Sequence, residues 1–170
     1  MHEDRKKMNE QQKARLAMLL QKQKQKIEEQ ERMRSEAEVL NCFDRREDVF
    51  ILTKEDGDLI MDEFVKVFPI AEWGRVDWDR VQNKVRIEDW TMESIQDVLR
   101  LLRSQGFDLN QTAYLMGSTG SLPNVKSSVQ RILTNLDELT WIGWDQIIYC
   151  PNSKYVIESF HDGDLTIGWY

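Results

Sequence analysis

Residues 144–169 read WDQIIYCPNSKYVIESFHDGDLTIGW, and the class of fold follows first from these residues. They contain three strand-like runs rich in aromatic and β-branched residues, which are Trp144–Cys150, Tyr155–Phe160 and Leu165–Trp169. The connections between the runs are short and have turn-forming compositions. Short connections join antiparallel neighbours, so this stretch predicts an antiparallel three-strand meander.

The Asp162-Gly163 dipeptide predicts a two-residue type I′ turn between the last two strands, in which both positions adopt positive φ. Such a turn would set three cross-strand pairs, which are Phe160 with Leu165, Glu158 with Ile167, and Val156 with Trp169. Glu158 is then the acidic member of an otherwise apolar row. We expect an edge position from which its carboxylate reaches water, and a role in binding is the alternative.

Upstream of the meander, strand patterns alternate with helical patterns. Strands are predicted at Val49–Leu52, Lys84–Ile87 and Ala113–Met116. Apolar residues at helical spacing predict helices before Pro69, between Thr91 and Gly106, and after Pro123, with Thr91 as the N-cap of the second. The sequence therefore predicts an α/β or α+β fold with a single mixed sheet and flanking helices. The sheet ends in the antiparallel three-strand meander and is preceded by a long N-terminal helix.

The N-terminal segment differs in composition from the rest of the chain. From Asp4 to about Glu38 it lacks Gly and Pro and consists mostly of good helix formers, which predicts one long helix. Residues 1–34 hold 10 of the 23 basic and 6 of the 30 acidic residues, a net charge of +4, which leaves 13 basic and 24 acidic residues, a net charge of −11, for residues 35–170. We expect a charged helical extension at 1–34 and a globular domain at 35–170. The apolar stripe of the helix is short, so we expect a monomer or weak self-association through this helix.

The acidity of residues 35–170 bears on the partners of the protein. An acidic surface repels nucleic acid and membrane phosphates and favours basic protein partners, although solubility alone also explains it. The six tryptophans are typical of a protein-binding surface in so acidic a chain, with core packing as the alternative for at least half of them.

The sequence also bears on the compartment. The N-terminus lacks the apolar segment of a secretory signal, and no apolar run approaches the roughly 20 residues of a membrane span, so we expect a cytoplasmic protein without membrane contact. The two cysteines, Cys42 and Cys150, fit a reducing cytosol and are expected to pack as small hydrophobic residues.

Motifs for catalysis, cofactors or metals are weak. Gly117–Gly120 follows a predicted strand but lacks the Gly-Lys-Ser/Thr ending of a phosphate-binding loop. Carboxylate pairs such as Asp77 with Asp79 have no spacing that indicates a catalytic cleft, and solvated turns explain them better. His161 lies at the predicted turn, where we assign it no chemistry. We therefore expect a binding protein with no catalytic residues, no cofactor and no metal.

Three stretches together resemble one protein family. They are Phe68–Trp78 (FPIAEWGRVDW), Ser121–Lys126 (SLPNVK) and the strand-rich residues 144–169. In this order they resemble the immunity proteins of contact-dependent growth inhibition (CDI) toxins, over roughly residues 36–170. The resemblance implies a bacterial protein without enzymatic activity that binds a cognate toxin domain, commonly a nuclease. The chain departs from the family in its N-terminal helix and in Ser159, where a larger aromatic residue is expected.

The resemblance focuses attention on carboxylates. Nuclease toxins bind phosphate in basic grooves, so an inhibitor that fills such a groove should present acidic side chains. Five candidates for toxin binding lie near the C-terminal hairpin and in the WGRVDW region: Asp77, Asp79, Glu158, Asp162 and Asp164. Of these, Glu158 is the candidate for a buried, paired carboxylate. Two other functions stay open, a generic interaction or scaffold module that docks through the N-terminal helix, and an uncharacterised hydrolase that uses paired carboxylates.

Overall fold

The computed structural model describes residues 10–117, 122–143 and 145–170. Its helices are α1 (Glu10–Asn41), α2 (Lys54–Val67), α3 (Met92–Ser104), α4 (Val129–Thr134) and α5 (Leu136–Ile142). Its strands are β1 (Phe50–Ile51), β2 (Asn83–Ile87), β3 (Thr112–Gly117), β4 (Val125–Ser128), β5 (Gln146–Cys150), β6 (Tyr155–Ser159) and β7 (Leu165–Trp169). Short 3₁₀ turns lie at Trp78–Arg80 and Pro151–Ser153. The α+β class is confirmed, and the predicted loop at 118–121 and strand position Trp144 lie outside the described residues.

The seven strands form one sheet in the order β1-β4-β3-β5-β6-β7-β2. The C-terminal meander is confirmed as β5-β6-β7, but all six pairings are antiparallel, whereas we expected a mixed sheet. A parallel pair needs a crossover that returns the chain beside the strand it left. Here β1 and β2, which precede helices α2 and α3, lie at opposite edges of the sheet, so neither crossover creates a parallel pair.

Both faces of the sheet are covered. A larger apolar cluster includes side chains from α3, α4 and α5, among them Ile95, Ile132 and Leu139. A smaller cluster contains Phe64 of α2 and Phe68, which pack on Tyr149 with ring centroids 5.2 and 6.2 Å away. Strands β5 and β6 are buried at every position because they lie centrally between these two layers.

The helix starts follow local sequence signals. Thr91 is confirmed as the N-cap of α3, where its hydroxyl accepts a hydrogen bond from Ser94 N while the Ser94 hydroxyl accepts one from Thr91 N. Thr53 caps α2 in the same way through Asp56 N. Each cap satisfies a backbone donor that the first helical turn leaves without a partner.

The chain divides into two compact units, residues 1–35 and 36–170. In the first unit, described from residue 10, the apolar side chains Leu16, Leu19 and Leu20 are about half exposed. The second unit contains the whole sheet and also the last turn of α1, whose Val39 is fully buried in its core. None of the described helices combines the length and the apolarity that crossing a bilayer requires. The part of the predicted helix before residue 10 lies outside the described residues.

The β6–β7 hairpin differs from the prediction by one residue. Its loop has three residues, 161–163, so that Ser159 pairs with Leu165 and Glu158 with Thr166. Phe160 N donates to Asp164 O at 2.9 Å and closes the loop. The predicted register was therefore wrong, and Trp169 lies opposite Tyr155 instead of Val156.

The backbone of the loop explains this shift. Gly163 has a φ of +93°, whereas Asp162 keeps a negative φ. A type I′ turn needs positive φ at both central residues, but a three-residue hairpin needs it only at the third. The Asp-Gly dipeptide therefore marked the turn correctly but not its length.

Candidate functional site

Glu158 lies on the central strand β6, between β5 and β7, and is only 3% exposed. The expected edge position that reaches water was therefore wrong. A buried carboxylate is costly unless hydrogen bonds and an opposite charge compensate it. Its side chain lies on the face of the sheet that carries the smaller apolar cluster, where the segment 69–78 covers it.

Four donors surround the Glu158 carboxylate. Its Oε2 accepts hydrogen bonds from Arg75 Nε at 3.2 Å, Arg75 Nη2 at 3.1 Å and Trp78 Nε1 at 2.8 Å. Its Oε1 accepts one from Val76 N at 3.1 Å. The Arg75 guanidinium also stacks on Phe160, with its central carbon 3.4 Å from the ring centroid. Glu158 therefore fixes the segment 75–78 onto the sheet.

The segment before Arg75 forms a tight turn. Ile70 and Val76 make an isolated antiparallel bridge, and Ala71 N donates to Arg75 O at 2.8 Å. Gly74 has a φ of +85°, which only glycine adopts readily. This turn presents Trp73, whose side chain is 78% exposed.

A groove of about 520 Å³ lies beside this turn. Acidic, basic and aromatic side chains line it, among them Trp73, Arg75, Asp77, Asp79, Lys84, Arg86 and Asp164. Its three cations have internal partners: Arg75 pairs with Glu158, Arg86 pairs with Asp164, and Lys84 Nζ donates to Trp78 O. In the described part of the chain, the carboxylates of Asp77 and Asp79 form neither a hydrogen bond nor an ion pair. The two arginines are neutralised by carboxylates, whereas a carbonyl leaves the charge of Lys84 intact. One positive charge, on Lys84, therefore remains against the two negative charges of Asp77 and Asp79, and the charge left for a partner in this groove is weakly negative.

The two hairpin candidates differ in exposure. Asp164 is 7% exposed and pairs with Arg86 of the edge strand β2. Asp162 is exposed in the loop, where its Oδ1 accepts a hydrogen bond from Asp164 N at 3.2 Å. Asp164 thus links the hairpin to the edge strand, and Asp162 shapes the loop.

A second hollow, of about 430 Å³, lies at the same hairpin loop. The residues that line it include Trp90, Trp141, Ser159, Phe160, His161 and Gly163. His161 lies in the turn, as predicted, and both its backbone N and its Nδ1 are 2.9 Å from Asp145 Oδ1. Trp141, on α5, is 81% exposed.

The structure brings three of the five candidate residues together: Asp77, Asp79 and Asp164 line one groove. Glu158 lies beneath it, and Asp162 lies in the hairpin loop outside its lining. Sequence reasoning missed Arg75, the partner of Glu158. The signal for it was present, because an acidic residue within an apolar strand face requires a cation or several donors nearby.

The two cysteine thiols are buried in the fold. Burial raises the pKa of the Cys150 thiol to about 12, and burial, with Glu138 and Glu38 nearby, also raises the pKa of Cys42. Both cysteines are free and buried, so the prediction that they pack as small hydrophobic residues is confirmed.

Across residues 10–117, 122–143 and 145–170, no group of three or more His, Cys, Asp or Glu side chains could hold a metal ion.

Comparison with protein-family models gives a match. The sequence model of a family described as CdiI immunity protein EcoliA0-like matches residues 38–168, which is more than half of the chain. No match was found among curated proteins. The matched residues contain the groove, the second hollow and all of the sheet except Trp169.

Proposed function

Because the chain belongs to the CdiI immunity protein family, we propose that it binds and neutralises the cognate toxin domain of a contact-dependent growth inhibition system. The observation that carries this proposal is the family match over residues 38–168. The protein acts as a stoichiometric inhibitor, by binding and without turnover. It works in the bacterial cytosol, where it protects the cell that makes it.

The toxin domain is a nuclease with a basic substrate groove. The net charge of −11 on residues 35–170 supports this, because a basic groove that binds phosphate also attracts an acidic protein. Opposite charges mainly speed the encounter, while the packed centre of the interface sets the lifetime of the complex. Neutralisation follows from occlusion of the groove.

The hairpin end of the sheet is the toxin-binding surface. Asp77 and Asp79 are available to a cationic partner, and Asp162 is exposed in the hairpin loop. Glu158 and Asp164 contribute indirectly, because each neutralises an arginine that would otherwise repel a basic toxin. The buried Glu158 therefore acts as a support for the binding surface.

Growth protection tests the proposed function. The cognate toxin domain is expressed from an inducible promoter, with and without the protein, and a toxin domain from an unrelated system serves as the specificity control. We expect growth to be restored only against the cognate domain. Binding without protection would favour a scaffold module instead, and substrate turnover by the purified chain would favour an enzyme.

A further inference from the structure

Two tryptophans stand out by their exposure. Trp141 is 81% exposed and Trp73 is 78% exposed, more than any other large apolar side chain in the described part of the chain. Large aromatic side chains at this exposure are typical of protein interfaces, where Trp supplies much of the binding energy once a partner covers it. Neither tryptophan contributes to the core of its own fold.

Both tryptophans lie on backbone segments that are packed or hydrogen-bonded onto the rest of the fold. Trp73 lies at the tip of the turn closed by the Ile70–Val76 bridge, and the adjoining segment is held by four hydrogen bonds to Glu158. Trp141 lies on α5, whose Leu136 and Leu139 are fully buried. Because the backbone at each tryptophan is already ordered, binding has to order only the side chain, which favours affinity.

The two tryptophans border neighbouring hollows. The groove with Trp73 also contains Asp164 and Thr166, and the hollow with Trp141 contains Phe160 and Gly163. Arg75 joins them, because it lines the groove while its guanidinium stacks 3.4 Å above the Phe160 ring. The hairpin therefore contributes residues to both the groove that Trp73 borders and the hollow that Trp141 borders.

The charges of this surface select the partner. The two arginines of the groove are paired with carboxylates, whereas Asp77 and Asp79 have no partner among the described residues and outnumber the one cation that keeps its charge, Lys84. A partner that presents Arg or Lys would compensate these carboxylates. A second copy of this chain would oppose them with the same negative charges, so self-association through this surface is disfavoured.

We infer that the cognate toxin domain straddles the β6–β7 hairpin, covering Trp73 on one side and Trp141 on the other, with Arg or Lys side chains against Asp77 and Asp79. This inference rests on the proposed function and specifies where and how the toxin binds. Sequence reasoning named the carboxylates but neither tryptophan.

Binding kinetics of the full chain with the purified cognate toxin domain test the inference. The variants are Trp73→Ala and Trp141→Ala, with Phe50→Ala as the matched control, because Phe50 is 56% exposed on β1 at the opposite edge of the sheet. Each tryptophan variant should weaken binding about tenfold or more, mainly through faster dissociation, and Phe50→Ala should leave it within about twofold. Thermal unfolding of every variant confirms that the fold is intact.

A second pair of variants tests the charge component. Asp77→Asn with Asp79→Asn should slow association about threefold or more at low salt and flatten its salt dependence. Asp44→Asn with Glu47→Gln changes the net charge equally near the opposite edge and should have a smaller effect.

The outcomes separate the two proposals. Suppose that the wild-type protein binds the toxin domain but that neither tryptophan substitution, or only one of them, weakens binding. This result would overturn the proposed surface and leave the proposed function intact. An equal loss in Phe50→Ala would also overturn it. Failure of the wild-type protein to bind the cognate domain would instead contradict the proposed function.

Discussion

Glu158 and Arg75, 83 positions apart in the chain, form a two-point ion pair in which Oε2 accepts from both Nε and Nη2 of the guanidinium. The Glu158 side chain is 3% exposed and the Arg75 side chain 23% exposed. The pair therefore connects a buried position of the sheet to the loop that presents Trp73. Its loss would affect the fold and the proposed binding surface together.

Glu158→Ala should lower the free energy of unfolding by about 3 kcal/mol, because it leaves Arg75 and the Trp78 indole N–H without their acceptor. Asp97→Asn is the control: it removes an exposed pair with Arg100 on α3, which should change stability by about 0.5 kcal/mol or less. Urea unfolding of the three proteins measures this. Equal stabilities for Glu158→Ala and the wild type would show that the pair does not hold the loop.

Deleting residues 1–34 should leave a domain that unfolds cooperatively and still protects cells. The deletion removes exposed helix and keeps Val39 and Phe43, which are buried in the core of residues 36–170. Deleting residues 1–43 is the matched comparison and should lower the midpoint of thermal unfolding, because both buried side chains are lost. A missing transition in the shorter deletion would contradict the proposed domain boundary.

The sequence predicted those elements whose signals are local. The meander, the N-cap Thr91 and the long helix follow from side-chain periodicity, capping chemistry and helix propensity. The register of β6 and β7 did not follow, because Asp162-Gly163 suits both two-residue and three-residue loops, and the backbone at Asp162 decides between them. The strand order was also inaccessible, because packing that places β1 and β2 at opposite edges involves the whole chain.

The candidate site shows the same division. Asp77 and Asp79 were identified from charge and family resemblance, but their unpaired state depends on where Arg75, Lys84 and Arg86 find partners. Two of those partners lie far away in sequence, because Glu158 is distant from Arg75 and Asp164 from Arg86, whereas Trp78 is close to Lys84. An acidic residue in an apolar strand face signals that a buried charge needs a partner, but the sequence pattern does not say which distant residue supplies it.

Stability should fall as the pH rises above about 9, because several buried acids must stay protonated in the folded state. Burial raises the pKa of Cys150 to about 12 from 9.0. Burial also raises the pKa of Tyr155, and burial with a hydrogen bond to Glu63 raises that of Tyr149. An acid whose pKa is higher in the folded than in the unfolded state stabilises the folded protein fully at a pH below its unfolded pKa. This contribution is lost as the pH rises through the folded-state pKa.

Absorbance at 295 nm, which follows tyrosine ionisation, together with circular dichroism checks this pH dependence. The Tyr149 and Tyr155 phenols should ionise in a cooperative step that coincides with unfolding. Ionisation of both phenols at their ordinary pKa of about 10 in a folded protein would contradict the assigned burial.

His161→Ala should not abolish neutralisation. The imidazole bonds to Asp145 at the hairpin loop and is half exposed, so its loss should perturb the loop without removing an anchor. We expect toxin affinity to fall less than about tenfold, below the effect of either tryptophan substitution. Complete loss of neutralisation by a folded His161→Ala protein would assign this side chain a direct role.

Titration calorimetry of the purified protein with its cognate toxin domain tests the central claim most directly. We expect a saturable one-to-one complex, with the activity of the toxin falling in proportion to the protein added and disappearing at one equivalent. Absence of binding between the two folded proteins, or a saturated complex that keeps full toxin activity, would contradict it.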